Sequence, residues 1–400
     1  MPWSETCPMD ERARFVLEAL EGWSSMRALC EQYGVSRRVG YKWLARYQEG
    51  GLAALADRRR APRKQAQATP PEVVAKIVAL RQERPTWGPR KLRGRLEQLH
   101  PTTVWPAPST IGAILQREGL VPKRRRRKQS QGGRRSPRTD ADVPNRVWTA
   151  DFKGEFRLGC GRLCYPLTIV DAHTRFLLGC QGLPGTGTSG ARATFERVFR
   201  AYGLPEVIRT DNGVPFRTHA VAGLSQLGVW WIRLGIRLEW TRPGHPQDNG
   251  AHERLHRTLK AEATRPSRAT PERQQQAFNR FRAVYNEERP HEALQQRTPA
   301  MLYKPADRRL LARLPDLAYP EHYFRRKVGH AGQFRWRKQA YFVSQTLHRQ
   351  TIGLEYTYDG VFNIYFGPLL LGQFNEQQQI VRLIRGKKGT HPGPGRLLPK

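Results

Sequence analysis

The sequence contains no apolar run of about 18 residues, the length a membrane-spanning helix needs. Its opening, MPWSETCPMDERARF, lacks the apolar stretch of a signal peptide. Cysteine is scarce. Cys7, Cys30, Cys160, Cys164 and Cys180 are scattered and odd in number, which excludes a disulfide framework and fits a reducing cytosol. Cys160 and Cys164 lie close together, but no second Cys or His pair stands at zinc-finger spacing, so free thiols beside a strand turn are expected there. Acidic residues are few as well: Asp and Glu total 34 against 69 Lys and Arg, a formal charge of +35. Such an excess favours phosphate backbones through counterion release and predicts strong salt dependence. A ribosomal protein would share the charge, but 400 residues with ten Trp, thirteen Tyr and fifteen Phe imply several globular cores. A DNA-associated protein of the cytoplasm, with no membrane partner, is the expectation.

Residues 10–48 read as helices, within a helix-turn-helix domain placed at 10–60 and followed by a linker rich in Gly, Ala and Arg. In WSSMRALCEQYGVSRRVGYKWLARYQ a helix begins near Ser24–Ser25 and ends by Gly34, and Ser36 caps the next. The short turn between them is that of a helix-turn-helix unit. Its second helix offers Arg37, Arg38, Tyr41 and Lys42 on one side, with Trp43 and Leu44 inside, and can enter a major groove. The plainer alternative is a helical hairpin with a solvated basic face. Residues 69–120 read as a second helical unit, starting at Thr69-Pro70-Pro71-Glu72, with Ser109 or Thr110 capping its third helix. It is either a second DNA-binding helix-turn-helix or a packing module. Residues 121–146 form a basic linker whose Arg124, Arg125 and Arg126 would lie along phosphates.

From Val147 short apolar strands alternate with helical stretches, near Ser189–Ala201 and Ala220–Leu234, which predicts a mixed α/β layer fold over 147–305. Residues 320–378 are β-rich, with a hairpin signal at Asp359-Gly360, and suggest a small barrel or sandwich; 385–400 read as a disordered tail. The fold class is thus multidomain α+β.

Three acids stand out: Asp151 in VWTADFKGEF, Asp211 in VIRTDNGVPF and Glu253 in GHPQDNGAHERLHRTLKAE. Asp151 falls within a strand, where a charge is expensive unless it binds something. Asp211 ends a strand, and Asp-Asn-Gly alone can be turn chemistry. Glu253 opens a helix, where a Glu often only complements the dipole. Carboxylates gathered together bind hard divalent cations, and two such ions can serve displacement at phosphorus. A rival is His252-Glu253-Arg254-Leu255-His256, which fits the zinc-protease pattern H-E-x-x-H. That reading leaves Asp151, Asp211 and the charge unexplained, so His252 and His256 are taken as DNA-facing or flanking polar residues.

The stretches VWTADFKGEF, TIVDAHTRF, IRTDNGVPF, RPGHPQDNGAHERLHRTLKAE and YNEERPHEALQQRTPAMLY give the chain its resemblance to DDE transposases of bacterial insertion sequences, whose core is similar to retroviral integrases. The resemblance implies an RNase H-like core with Asp151, Asp211 and Glu253 as catalytic and metal-binding residues holding two Mg²⁺ (or Mn²⁺) ions. It implies Lys260 near terminal DNA, and Asp171 as a recurrent nearby acid that is not a ligand. It implies cleavage and strand transfer on element ends and target DNA, by a homo-oligomer of two or more copies. A nuclease without strand transfer, or a DNA-binding regulator with an inactive core, are the alternatives. Two features depart from the family. Forty-one residues separate Asp211 from Glu253, a long spacing in which LSQLGVWWIRLGIRLEW is read as holding an extra turn of helix, and helix-turn-helix units replace the zinc module of retroviral integrases.

Overall fold

The computed structural model describes residues 7–57, 69–121, 139–242, 250–314 and 316–385. They fall in two compact units, Met1–Thr69 and Pro70–Lys400. In the first, α1 (Pro8–Glu21), α2 (Met26–Gln32) and α3 (Arg37–Gly50) enclose Phe15, Val16, Leu29, Cys30, Trp43 and Leu55. Serines start the second and third helices as expected. Ser25 Oγ accepts from Ala28 N–H at 3.3 Å, and Ser36 Oγ from Val39 N–H at 3.4 Å. Gly34 turns the chain between them with φ +62°, a conformation that favours glycine. Gly40 lets α3 pass close to its neighbours, since a Cβ there would lie 2.7 Å from Cys30 Sγ.

The second unit opens with α4 (Pro71–Glu83), α5 (Pro89–Leu99) and α6 (Pro108–Arg117), packed around Ile77, Trp87, Leu92, Ile111 and Ile114. Ser109 and Thr110 do not cap α6 as the sequence suggests. The fixed φ of Pro108 starts the helix earlier, with Ala107 at its cap and no side-chain bond.

A mixed sheet follows, made of β1 (Val147–Phe152), β2 (Phe156–Arg157), β3 (Leu163–Asp171), β4 (Leu177–Leu183), β5 (Val207–Thr210) and β6 (Arg237–Trp240). β3 pairs antiparallel with β4 and β1, whereas β1, β5 and β6 run parallel. Helices cover both faces. α7 (Thr188–Tyr202) and α8 (Gln226–Arg233) bring Phe195, Phe199 and Trp231 against Trp148 and Ala150 of β1. α9 (Gly250–Ala263) and α10 (Pro271–Ala283) bring Leu255, Leu259 and Phe278 against Val170 and Leu177. This is the RNase H-like arrangement. α8 begins six residues later than the sequence suggests, because Ala222 and Gly223 take φ of +50° and +76°, and Ser225 then caps Gly228 N–H at 3.0 Å.

The C-terminal strands are β7 (Phe324–Lys327), β8 (Gln333–Trp336), β9 (Gln339–Phe342), β10 (Thr351–Tyr358), β11 (Val361–Phe366), β12 (Leu369–Asn375) and β13 (Ile380–Leu383). They form a five-stranded antiparallel sheet, in the order β13-β12-β11-β10-β7, and a separate hairpin, β8-β9. Asp359 and Gly360 turn between β10 and β11 with φ of +41° and +72°, as a hairpin turn of this kind requires. The aromatic core shared by this sheet and the hairpin, including Phe334, Phe362 and Phe374, continues into Leu224, Val229 and Ile232 of the α8 segment. Ala222 N–H also donates to Ile384 C=O at 2.6 Å. The stretch between Asp211 and Glu253 therefore holds a two-turn helix, and the loop before it forms a seat for this sheet. No helix of the described residues is long and apolar enough to cross a membrane.

Candidate active site

Strand register brings the first two acids together. β1 and β5 pair in parallel with Ala150 opposite Thr210, so Asp151, still within β1, and Asp211, just past the end of β5, follow the last paired positions of neighbouring strands. The alternation of β1 buries Trp148 and Ala150 in the α7–α8 core. It turns Thr149 and Asp151 to the face covered by α9. Asp211 also begins the turn the sequence suggests, its Oδ1 accepting from Gly213 N–H at 3.1 Å. Burial pushes its carboxyl pKa above the usual range, partly offset by that N–H. A desolvated carboxylate at a strand end is a donor suited to a hard cation, whose charge would offset the burial.

Glu253 lies in the first turn of α9, exposed, on the helix packed over this face. Among the described residues no group of three or more His, Cys, Asp or Glu converges closely enough to hold a metal ion. The sheet thus puts Asp151 and Asp211 on neighbouring strands and leaves Glu253 on the adjoining helix. The zinc reading of His252 and His256 finds no such group either, nor does one at Cys160 and Cys164.

Both histidines face the sheet and not solvent, which corrects the DNA-facing alternative of the sequence reading and leaves that of flanking polar residues. Their i, i+4 spacing puts them on one helix side, and that side meets Thr168 of β3. His252 Nε2 lies 3.0 Å and His256 Nε2 2.8 Å from its hydroxyl. The hydroxyl donates its single proton to Asp151 C=O at 3.1 Å, so both rings donate to it through Nε2–H. His256 Nδ1 is 3.9 Å from Asp151 Oδ2. Burial pushes the His252 imidazole down to about 3, helped by His256, and the His256 imidazole to about 4, helped by Lys153. Both rings are neutral when folded and take up protons on unfolding in mild acid. Stability is therefore expected to fall as pH drops from about 6.5 toward 4. Melting curves at pH 7 and 5 check this, and His252→Gln should flatten the dependence.

Asp171, the fourth acid, is fully buried. It accepts from Thr174 N–H and Asn145 N–H, each at 2.7 Å, and from the Thr174 hydroxyl at 2.6 Å. It pins the turn after β3 and the entry to β1. Sequence reasoning missed Lys153, two residues beyond Asp151. Its pKa is lowered by burial and by the neighbouring charges of Lys260 and Arg265. The only signal for it in the sequence is proximity to Asp151.

In the first unit Arg37, Arg38, Tyr41 and Lys42 are exposed along α3, and the Lys42 ammonium sits 4.3 Å from the centre of the Trp43 ring. Lys260 is exposed on α9. Arg124, Arg125 and Arg126 lie outside the described residues.

The chain matches two models of an integrase core domain, over residues 141–246 and 234–299. It also matches a helix-turn-helix domain over 11–63 and a homeodomain-like domain over 39–115. It is 30% identical over 234 residues to the uncharacterized 31.7 kDa protein of insertion element IS407 from Burkholderia multivorans, covering 57% of this chain and 79% of that protein. With the uncharacterized 39.2 kDa protein of insertion element IS476 from Xanthomonas euvesicatoria it shares 25% identity, over 56% of this chain and 63% of the relative. A solved HTLV-2 integrase catalytic core domain in complex with magnesium aligns with 17% identity and a TM-score of 0.33, over 40% of this chain and 97% of that one.

Proposed function

The chain belongs to the insertion-element transposases that carry a retroviral-integrase-like core, and on that premise we propose that it cuts DNA at the ends of its element and joins the freed 3′ ends to target DNA. The observation that supports this reading is the parallel pairing of β1 with β5, in which Asp151 and Asp211 follow the facing residues Ala150 and Thr210. These two acids, with Glu253 as the third, would hold two Mg²⁺ or Mn²⁺ ions through oxygen. When bound, such ions neutralise charge on the attacked phosphate and activate the attacking oxygen.

The chain's own residues supply position and charge. The desolvated setting of Asp211 strengthens its pull on any cation beside it. The two histidines hold α9 against β3 through Thr168, which fixes the helix that carries Glu253. Lys260 and Arg265 act electrostatically on Lys153, and these cations would offer the phosphate backbone a positive bank. Nothing here requires a covalent enzyme intermediate. Attack in line by water and then by the new 3′-OH needs only alignment. Joining two ends calls for two copies of the site, hence a homodimer or larger assembly.

Recognition of the ends is assigned to α3, whose Arg37, Arg38 and Tyr41 face solvent in its first two turns. Arg37→Ala combined with Arg38→Ala should weaken binding to a duplex of the gene's own flanks by about 1–3 kcal/mol per lost base contact. Binding to unrelated duplex should change less. Equal losses on both duplexes would make these arginines phosphate contacts only. Mg²⁺- or Mn²⁺-dependent nicking of the flanks by the wild type supports the proposal. Tight binding without nicking would favour a regulator.

A further inference from the structure

The helix that carries Glu253 in its first turn carries Glu262 in its last, and the mechanism above gives Glu262 no task. Its carboxylate accepts from Arg289 Nη1 at 2.7 Å and from the Thr86 hydroxyl. The ion pair is well covered, with 18% of the Glu262 side chain and 9% of the Arg289 side chain exposed. Arg289 belongs to the segment that follows α10, and Thr86 to the turn between α4 and α5.

Around this point, acids of the core face arginines of the α4–α6 unit. Arg84 Nη2 meets Glu288 Oε2 at 2.7 Å, Arg95 reaches the same carboxylate at 3.6 Å, and Arg90 pairs with Glu292. In a chain with 34 acids against 69 cations, two acids opposite the α4–α6 arginines, with Glu262 bonded to Thr86 beside them, are a specific complement and not a product of composition. Gly94 completes the fit, because a Cβ there would come within 3.1 Å of Gln296 Cβ. α5 thus lies close against the core. By contrast, α6 leaves Ser109, Thr110, Ala113, Gln116 and Arg117 exposed along its length. The small and polar character of that face suits a nucleic-acid groove, and α5 is already committed.

We propose that Glu262 is a positioning residue, tying the helix of Glu253 to the α4–α6 unit so that DNA lying on α6 is held at one distance from Asp151 and Asp211. The inference rests on the DNA-cutting reading and adds to it a built-in spacing between recognised sequence and cleaved phosphate. Two packed units that share a charged joint transmit position through it, and mutations along such joints change coupling by roughly twofold to thirtyfold.

The test uses full-length wild type and Glu262→Gln on labelled duplexes of the gene's own flanks. A second set of duplexes carries a two-base-pair insert, about 7 Å of added helix length, between the protected segment and the nick. Glu262→Gln should bind the flanks as tightly as wild type, cut them roughly tenfold more slowly, and discriminate less against the insert. Its hydrogen exchange should quicken in residues 84–95, across the joint from the substitution. A merely stabilising role would lower binding, rate and melting temperature together and leave the insert penalty unchanged, which would overturn the proposal. So would a wild-type rate with a wild-type insert penalty. Thr86→Val, which removes only a neutral partner, keeps the test open if Glu262→Gln unfolds, and should show the same pattern in weaker form. A wild type that cuts no DNA would refute the functional reading and the spacing role with it. The exchange experiment would still decide whether the joint exists.

Discussion

Glu253→Gln is expected to reduce DNA cleavage by on the order of a hundredfold or more, with affinity for the flanks unchanged. Gln keeps the size of the side chain and removes only its charge. Glu253 is exposed in the first turn of α9, so little packing depends on it and the melting temperature should hold. Asp211→Asn should also abolish cleavage, but with a different signature. Burial raises the pKa of Asp211, which means that the folded state disfavours its ionised form. A neutral isostere relieves that penalty, so the variant is expected to be inactive and at least as stable as wild type at neutral pH. Functional acids trade stability for activity in this way. Thermal denaturation without divalent ions, alongside a nicking assay, checks both variants. Loss of DNA binding together with cleavage in Glu253→Gln would count against its place in the triad.

Asp171→Ala should behave in the opposite manner. Here the carboxylate is fully buried and receives three hydrogen bonds, two of them from backbone N–H groups of Thr174 and Asn145. Removing it strands buried donors, and the expected destabilisation is about 3–5 kcal/mol. Activity would then fall through unfolding, with binding and melting temperature falling alongside it. Chemical denaturation separates the cases: a large drop in midpoint for Asp171→Ala, none for Glu253→Gln. An Asp171→Ala protein of normal stability and no activity would place this acid in the chemistry after all.

Much of the framework around the candidate site was legible because its determinants are local. VWTAD and VIRTD read as apolar strands carrying an acid at or near the end, and the structure pairs these strands in parallel. Ser25 and Ser36 cap helices through residues three positions away, a distance that sequence reports well. What was not legible depends on distant partners. The i, i+4 spacing of His252 and His256 announces a shared helix face, but nothing local says that the face meets Thr168, 84 residues from His252. Lys153 acquires its setting only when α9 brings Lys260 toward it. The α4–α6 unit could be read as a DNA reader or a packing module. Its Thr86 finds Glu262, and its Arg84 and Arg90 find Glu288 and Glu292, roughly 200 residues along the chain, as the separations of 176, 204 and 202 record. Helix starts failed where backbone conformation overrode propensity, at Ala222 with its positive φ and at Pro108.

The central claim is strand transfer at the Asp151–Asp211–Glu253 site, and the most direct measurement is joining. A duplex of the gene's flanking DNA, labelled and ending in a 3′-OH, is incubated with supercoiled plasmid and wild-type protein in Mg²⁺ or Mn²⁺. The predicted result is labelled end covalently joined to plasmid, dependent on the divalent ion and absent with Glu253→Gln. Nicked plasmid carrying no joined label, under conditions where the flanks are bound, would contradict the claim and leave a nuclease in its place.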